Sequence, residues 1–211
     1  MEEKKLRSLL KWTFIVCLTL SHVFAFNLIN LKFDYSFENF FPSDNPETKY
    51  FRQFREKFGT DNDYILIAVK NDAGVFQKDF LDKVKVFTEE VDSLSLVKMT
   101  MSLTNQDERT VRSGFNIKQP YYSGEDSLLT KDSLRIFSHK ELIQSFISKD
   151  AKSVCLFVAH EQFMSKPKCD SLVAQIKDLL ISHEFDETHL TGRAPGQSFY
   201  TESMQFEMIL L

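Results

Sequence analysis

The chain has 211 residues, 43% of them hydrophobic and 27% charged, enough apolar material for one ordinary domain plus a targeting or anchoring segment and too much for a disordered chain. Lys and Arg number 26 against 30 Asp and Glu, a formal net charge of -4, so no basic surface is available to neutralise a row of phosphates and nucleic acid is excluded as an expected partner. Glycine (6) and proline (5) are scarce while phenylalanine is abundant (21), which favours long regular elements with aromatic packing over a turn-rich barrel.

The first element is a membrane-length apolar run. From Trp12 to Leu31 there is no Asp, Glu, Lys or Arg, and about 20 residues at 1.5 Å each match the roughly 30 Å hydrocarbon core of a bilayer. Lys4, Lys5, Arg7 and Lys11 precede the run, whereas Asp34, Glu38, Asp44 and Glu47 dominate the segment on its carboxy-terminal side. The positive-inside rule therefore predicts a cytoplasmic amino terminus and an extracytoplasmic remainder. A cleaved secretory signal, read at Val23-Phe24-Ala25, is the alternative. Apolar character continuing through Phe26, Leu28, Ile29 and Leu31 fits an uncleaved span better. His22 and Asn27 within the run are expected to face protein neighbours or headgroups.

Beyond the run, strands and helices alternate. Asn45 and Pro46 supply a cap and a first-turn proline, and Tyr50, Phe51, Phe54 and Phe58 then recur at helical spacing until Gly59. Tyr64 to Val69 reads as a continuous apolar strand. Phe76, Phe80, Val84, Phe87, Val91 and Leu94 step by three and four along one helix face. The period then changes to two: Val97, Met99, Met101 and Leu103 alternate with Lys98, Thr100 and Ser102, which predicts a strand with the apolar set buried and the polar set wet.

The unit then returns. Ser138 and Glu141 have capping-box spacing, with Phe137 and Leu142 placed as a hydrophobic staple, predicting a helix from His139 to about Ser148. Val154 to Ala159 is a second continuous apolar strand. Leu172, Val173, Ile176, Leu179 and Leu180 mark another amphipathic helix, and Thr188 to Thr191 a short final strand. Strand, helix, strand occurring twice is the order of a split βαβ, or ferredoxin-like, α+β domain. Its first and third strands lie centrally, and here those two are apolar on both faces. Two helices cover only one face, so the other is expected to meet a partner, or else the connector from Thr104 to Lys152 folded back upon it. Of the cysteines, Cys17 lies in the apolar run, and a Cys155 to Cys169 bridge is conceivable outside the cytoplasm beside plain packing roles.

The run from Asp34 through Phe37, Phe40 and Phe41 to Pro42, then Asp44, Pro46, Phe54, Phe58, Gly59 and the strand from Tyr64, resembles the start of exporters of the resistance, nodulation and division (RND) superfamily, in its MMPL-like branch. Ser148 to Lys152 leading into an apolar strand, and Leu190-Thr191-Gly192 ahead of a final amphipathic segment, resemble the stretch before that family's second membrane helix. The similarity covers most of the chain through loose patterns, and fold likeness alone does not establish function. The boundaries expected on this reading are a cytoplasmic basic segment at 1–11, a transmembrane helix at 12–31, an extended segment and short helix at 32–62, a ferredoxin-like porter subdomain at 63–192 and an amphipathic segment at 193–211. Met208-Ile209-Leu210-Leu211 resembles the onset of a second span, so the sequence reads as a fragment; the alternative is an ordinary amphipathic helix.

The resemblance implies the amino-terminal part of a proton-driven exporter of hydrophobic or amphiphilic, lipid-like molecules in a bacterial inner membrane. Implied partners are membrane lipid, the substrate, and the remainder of the transporter with its second porter loop and further spans; a homo-oligomer is compatible. The family's proton-relaying acids in central helices are not among these residues. Arg193, Tyr121 and Tyr122 are the residues a substrate path would draw on, each otherwise an ordinary loop residue.

Catalytic motifs give nothing. His22, His139, His160, His183 and His189 include no pair at metal-ligand spacing, and neither His-Glu-x-x-His nor Cys-x-x-Cys occurs. The segment Gly192 to Ser198 is one residue short of a phosphate loop and has Gln197 where the lysine belongs. No enzyme activity, cofactor or metal is expected. A second function class remains open, a single-pass anchored extracytoplasmic binding or scaffold domain.

Overall fold

A computed structural model describes residues 2–27, 42–59, 63–112, 115–162 and 164–210. The chain divides into two units at residue 35. The first contains α1 (Glu2–Asn27), of which Lys5–Phe26 is long and apolar enough to cross a membrane by length and composition, a criterion that a signal sequence also meets. Its polar side chains turn back on the helix: Thr13 Oγ1 donates to the Leu9 carbonyl at 2.9 Å, Thr19 Oγ1 to Ile15 at 2.7 Å and His22 Nδ1 to Leu18 at 2.9 Å. Such bonds satisfy hydroxyl and imidazole donors without water, as a span requires. Residues 28–31 of the expected span lie outside the described residues.

The second unit opens with α2 (Pro46–Phe58), where Asn45 Oδ1 accepts the Glu47 amide at 2.9 Å and Gly59 ends the helix at φ 80. Then come β1 (Tyr64–Lys70), α3 (Lys78–Asp92) and β2 (Val97–Met101). A hairpin of β3 (Asp107–Arg112) and β4 (Phe115–Pro120) and two helices, α4 (Leu129–Ser138) and α5 (Lys140–Ser145), form the connector. β5 (Ser153–His160), α6 (Lys166–Ser182), β6 (Glu187–Gly192) and α7 (Arg193–Leu210) complete the unit. The main sheet runs β2-β5-β1-β6, with antiparallel pairing throughout. The two continuous apolar strands are thus the central ones, as the sequence predicts.

One face of the sheet is the core. Ile65, Ile67 and Val69 of β1 and Val154, Leu156 and Val158 of β5 are buried together with Phe80, Val84, Phe87 and Val91 of α3 and Leu172 and Ile176 of α6. On the other face Leu66, Ala68, Cys155, Phe157 and Ala159 are only half-buried, in register across the β1–β5 pair. The connector touches this face through Phe146, whose ring meets Phe157 edge-on at 5.4 Å. Cys155 lies on this outer face whereas Cys169 is buried in α6, and both are free thiols. The sheet therefore separates the pair whose bridging the sequence permitted.

Two expectations are corrected. In β2 the burial phase is reversed: Met99 is 49% exposed while Thr100 and Ser102 are buried. A register shift between Val97 and Met99 turns the strand over. Asp92 accepts the Thr100 amide at 2.6 Å and Ser102 Oγ joins Thr88 at 3.0 Å and Thr104 at 2.8 Å, while the buried Thr100 hydroxyl has no hydrogen-bond partner among the described residues. Leu103 is buried as expected, in a 3-10 turn after the strand ends. The capping box at Ser138 is not formed either. Ser138 is the last residue of α4 and donates to its own Arg135 carbonyl at 2.6 Å, so α5 starts at Lys140 behind His139 with no side-chain cap.

Candidate functional site

Asp63, immediately before β1, is buried and takes two guanidinium groups: Arg55 Nη2 of α2 at 3.0 Å on Oδ2 and Arg193 Nη1 of α7 at 2.9 Å on Oδ1. Its backbone carbonyl accepts the His160 amide at 3.2 Å. Three segments far apart in sequence are fastened at one end of the sheet. Gly192 is required there, since at φ 132 a side chain is strained and an added Cβ would lie 2.4 Å from the Tyr64 carbonyl oxygen.

The Arg55–Asp63 pair decides how α2 faces. At 100° per residue, Tyr50, Phe51, Phe54 and Phe58 share one stripe and Arg55 lies beside it toward the opposite side. Arg55 is the residue buried; the four aromatics stay 45% to 69% exposed. They form one patch, with Phe54–Phe58 centroids 4.8 Å apart and Tyr50–Phe54 6.5 Å apart. The helix is amphipathic as predicted, with its aromatic stripe outward.

A cleft of about 560 Å³ lies against this stripe, lined by Phe51, Phe54 and Phe58 on one side and by Lys98, Ala159, His160 and Gln162 on the other. His160 is buried and its Nδ1 donates to the Glu161 carbonyl at 2.8 Å, which makes Nε2 the acceptor of the neutral ring. Nε2 is shut off from solvent with no hydrogen-bond partner among the described residues. Lys98, exposed on β2, forms no ion pair among them.

The residues expected to line a path are not gathered together. Tyr121 and Tyr122 are core residues: Tyr122 donates to Asp82 at 2.7 Å, and Tyr121 packs edge-on against His139 at 5.5 Å with Arg135 over its ring. Burial, then the bond to Asp82, holds the Tyr122 hydroxyl well above its usual range. Arg193 serves the Asp63 node, and burial lowers its pKa. The phosphate-loop-like segment is not a loop, since residues 193–198 are the opening turns of α7. Among the described residues no three His, Cys, Asp or Glu side chains are grouped to hold a metal ion.

Sequence periodicity finds the α2 stripe and not its direction; the signal that was available is Arg55, at the edge of the stripe, eight residues before Asp63. In comparison with known proteins, no family model matches this sequence. No curated protein matches it at a significant level.

Proposed function

We propose that this chain is the amino-terminal part of a proton-driven RND-type transporter of the MMPL-like branch that exports hydrophobic or amphiphilic molecules. On this reading α1 is the first membrane span, with its amino terminus in the cytoplasm of a bacterial cell, and the second unit is a ferredoxin-like porter subdomain outside the inner membrane. The observation that carries it is the sheet order β2-β5-β1-β6. Helix α3 joins β1 to β2, helix α6 joins β5 to β6, and each pair of strands is split by a strand of the other pair, an order that supports the ferredoxin-like reading. An apolar helix of spanning length before that sheet, and a sheet face left half-buried, also support it. Transport itself would need the remainder of such a protein, because one span offers neither an alternating pathway nor a proton relay.

The test is export in the source cell. Inactivating the gene should raise retention of an amphiphilic fluorescent dye, and a protonophore should abolish the difference between the mutant and its parent. Equal retention with and without the gene across cationic, neutral and anionic dyes overturns the transport reading and leaves an anchored binding domain.

A further inference from the structure

We propose that the cleft beside α2 binds an amphiphile with one apolar chain and an anionic headgroup, the chain against Phe51, Phe54 and Phe58 and the headgroup at Lys98. This does not rest on the transport reading, because binding is a property of the chain alone.

The apolar half follows from the direction of α2. An amphipathic helix on a folded domain ordinarily lays its apolar stripe on the core. Here the Arg55–Asp63 pair takes the inward position, and contiguous rings face the cleft and solvent. Exposed apolar patches of this kind mark binding surfaces. At about 560 Å³ the cleft has the size of a small-molecule site, within the range of about 300–1,000 Å³.

The polar half selects the headgroup. Asp63 lines the cleft too, but its two oxygens are taken by Arg55 and Arg193. Lys98 is the lining cation that no described carboxylate answers, so it attracts an anion and repels an ammonium. A carboxylate or phosphate oxygen on the Lys98 ammonium answers that charge. An alcohol of the same length leaves Lys98 unanswered.

The experiment uses the full chain in phosphatidylcholine nanodiscs with a palmitic acid carrying a diazirine in its tail, and the alcohol and amine of the same length as comparisons. After photolysis, peptide mass mapping should place the acid on residues 51–58 and at the 159–162 end of β5, about tenfold more strongly than the alcohol or amine. Lys98→Gln should reduce this labelling about tenfold, the loss of one 1.4 kcal/mol contact, and Phe54→Ser should reduce it further. Unchanged unfolding midpoints establish that both variants are folded, which their exposed positions favour. Equal labelling by acid, alcohol and amine overturns the proposal, as does labelling that neither variant changes or that is confined to α1. Repeating the measurement with phosphatidylglycerol separates two sources of the same chemistry: suppression assigns the cleft to a bilayer lipid headgroup and persistence to a free acid, and both support an anionic amphiphile there.

Discussion

Arg193 at the head of α7 and Asp63 at the head of β1 meet at 2.9 Å although 130 residues separate them. Because Arg55 of α2 holds the other oxygen of the same carboxylate, one acid fixes the positions of three elements. Asp63→Asn keeps the shape and removes the charge, leaving two partly desolvated guanidiniums facing an amide. The expected loss is about 3 kcal/mol or more, the range for breaking a buried pair from one side. Lys70→Met, which removes an exposed pair with Glu187, should hardly move the midpoint. Urea unfolding of both variants checks the contrast; equal losses would mean that the node is not structural.

The two faces of β1 should answer differently to the same substitution. Ile67 is fully buried while its neighbour Leu66 is half-buried on the outer face. Ile67→Asp places an unpaired carboxylate in the core and should unfold a marginal domain, at a cost of several kcal/mol. Leu66→Asp leaves its charge within reach of water and should be tolerated. Circular dichroism and proteolysis distinguish the outcomes, and an unfolded Leu66→Asp chain would mean that this face is covered.

Much of this architecture was legible because burial imposes periodicity. The apolar steps of α3 and α6 and the continuous runs of β1 and β5 are imposed by one core, and each is where the pattern predicts. The β3–β4 hairpin was missed since Asp107, Glu108, Arg109 and Arg112 carry no alternation of apolar residues; Ser113-Gly114 was its one turn signal. The phase of β2 misled for a different reason. A bulge shifts the register, and buried hydroxyls of Thr88, Ser102 and Thr104 satisfy one another, so polarity stopped reporting exposure. The candidate cleft was half legible: the aromatic stripe is in the sequence, whereas its outward direction depends on an ion pair that only the fold brings together.

Backbone sterics at Gly192 give a prediction independent of charge. Gly192→Ala puts a methyl 2.4 Å from the Tyr64 carbonyl oxygen at a φ that disfavours side chains. Strain of this kind costs about 1–3 kcal/mol before the clash is added, so β6 should separate from β1 or the domain should lose most of its stability. Gly124 also has a positive φ, 79, but open space around it, so Gly124→Ala should cost less. Thermal melting of both variants checks the contrast; equal losses would mean that the close approach at Gly192 adds no cost.

Asp82 and Tyr122 make stability depend on pH at both ends of the scale. The bond from Lys78, then that from Tyr122, lowers the Asp82 pKa below its usual value of 3.8, so its contribution is complete above that value and is lost as pH falls through the folded pKa. Burial and the bond to Asp82 raise the Tyr122 pKa above 10.0, so the contribution of the neutral phenol is complete below that value and is lost as pH rises toward the folded pKa. Tyr122→Phe should therefore flatten both limbs and lower the plateau between them. Denaturant midpoints at pH 3, 7 and 11 provide the check; parallel curves for parent and variant would remove this pair from the pH response.

The last prediction concerns α1, whose length and composition allow either a retained span or a signal sequence. Four basic residues, Lys4, Lys5, Arg7 and Lys11, precede the apolar stretch, and positive charge next to a span is held on the cytoplasmic side. In a background with Cys17 and Cys155 replaced by serine, Ser8→Cys on α1 and Ser182→Cys at the exposed end of α6 place one thiol on each side of the proposed boundary. An impermeant maleimide should label Ser182→Cys from outside intact cells and Ser8→Cys only after permeabilisation. The mature mass should include residues 1–27, and the protein should stay with membranes after a high-salt wash, because burial of an apolar helix is not screened by salt as a surface charge contact is. A mature chain starting at Phe26 makes α1 a signal sequence. Ser8→Cys labelled in intact cells reverses the orientation, and with it the assignment of the second unit to the outside.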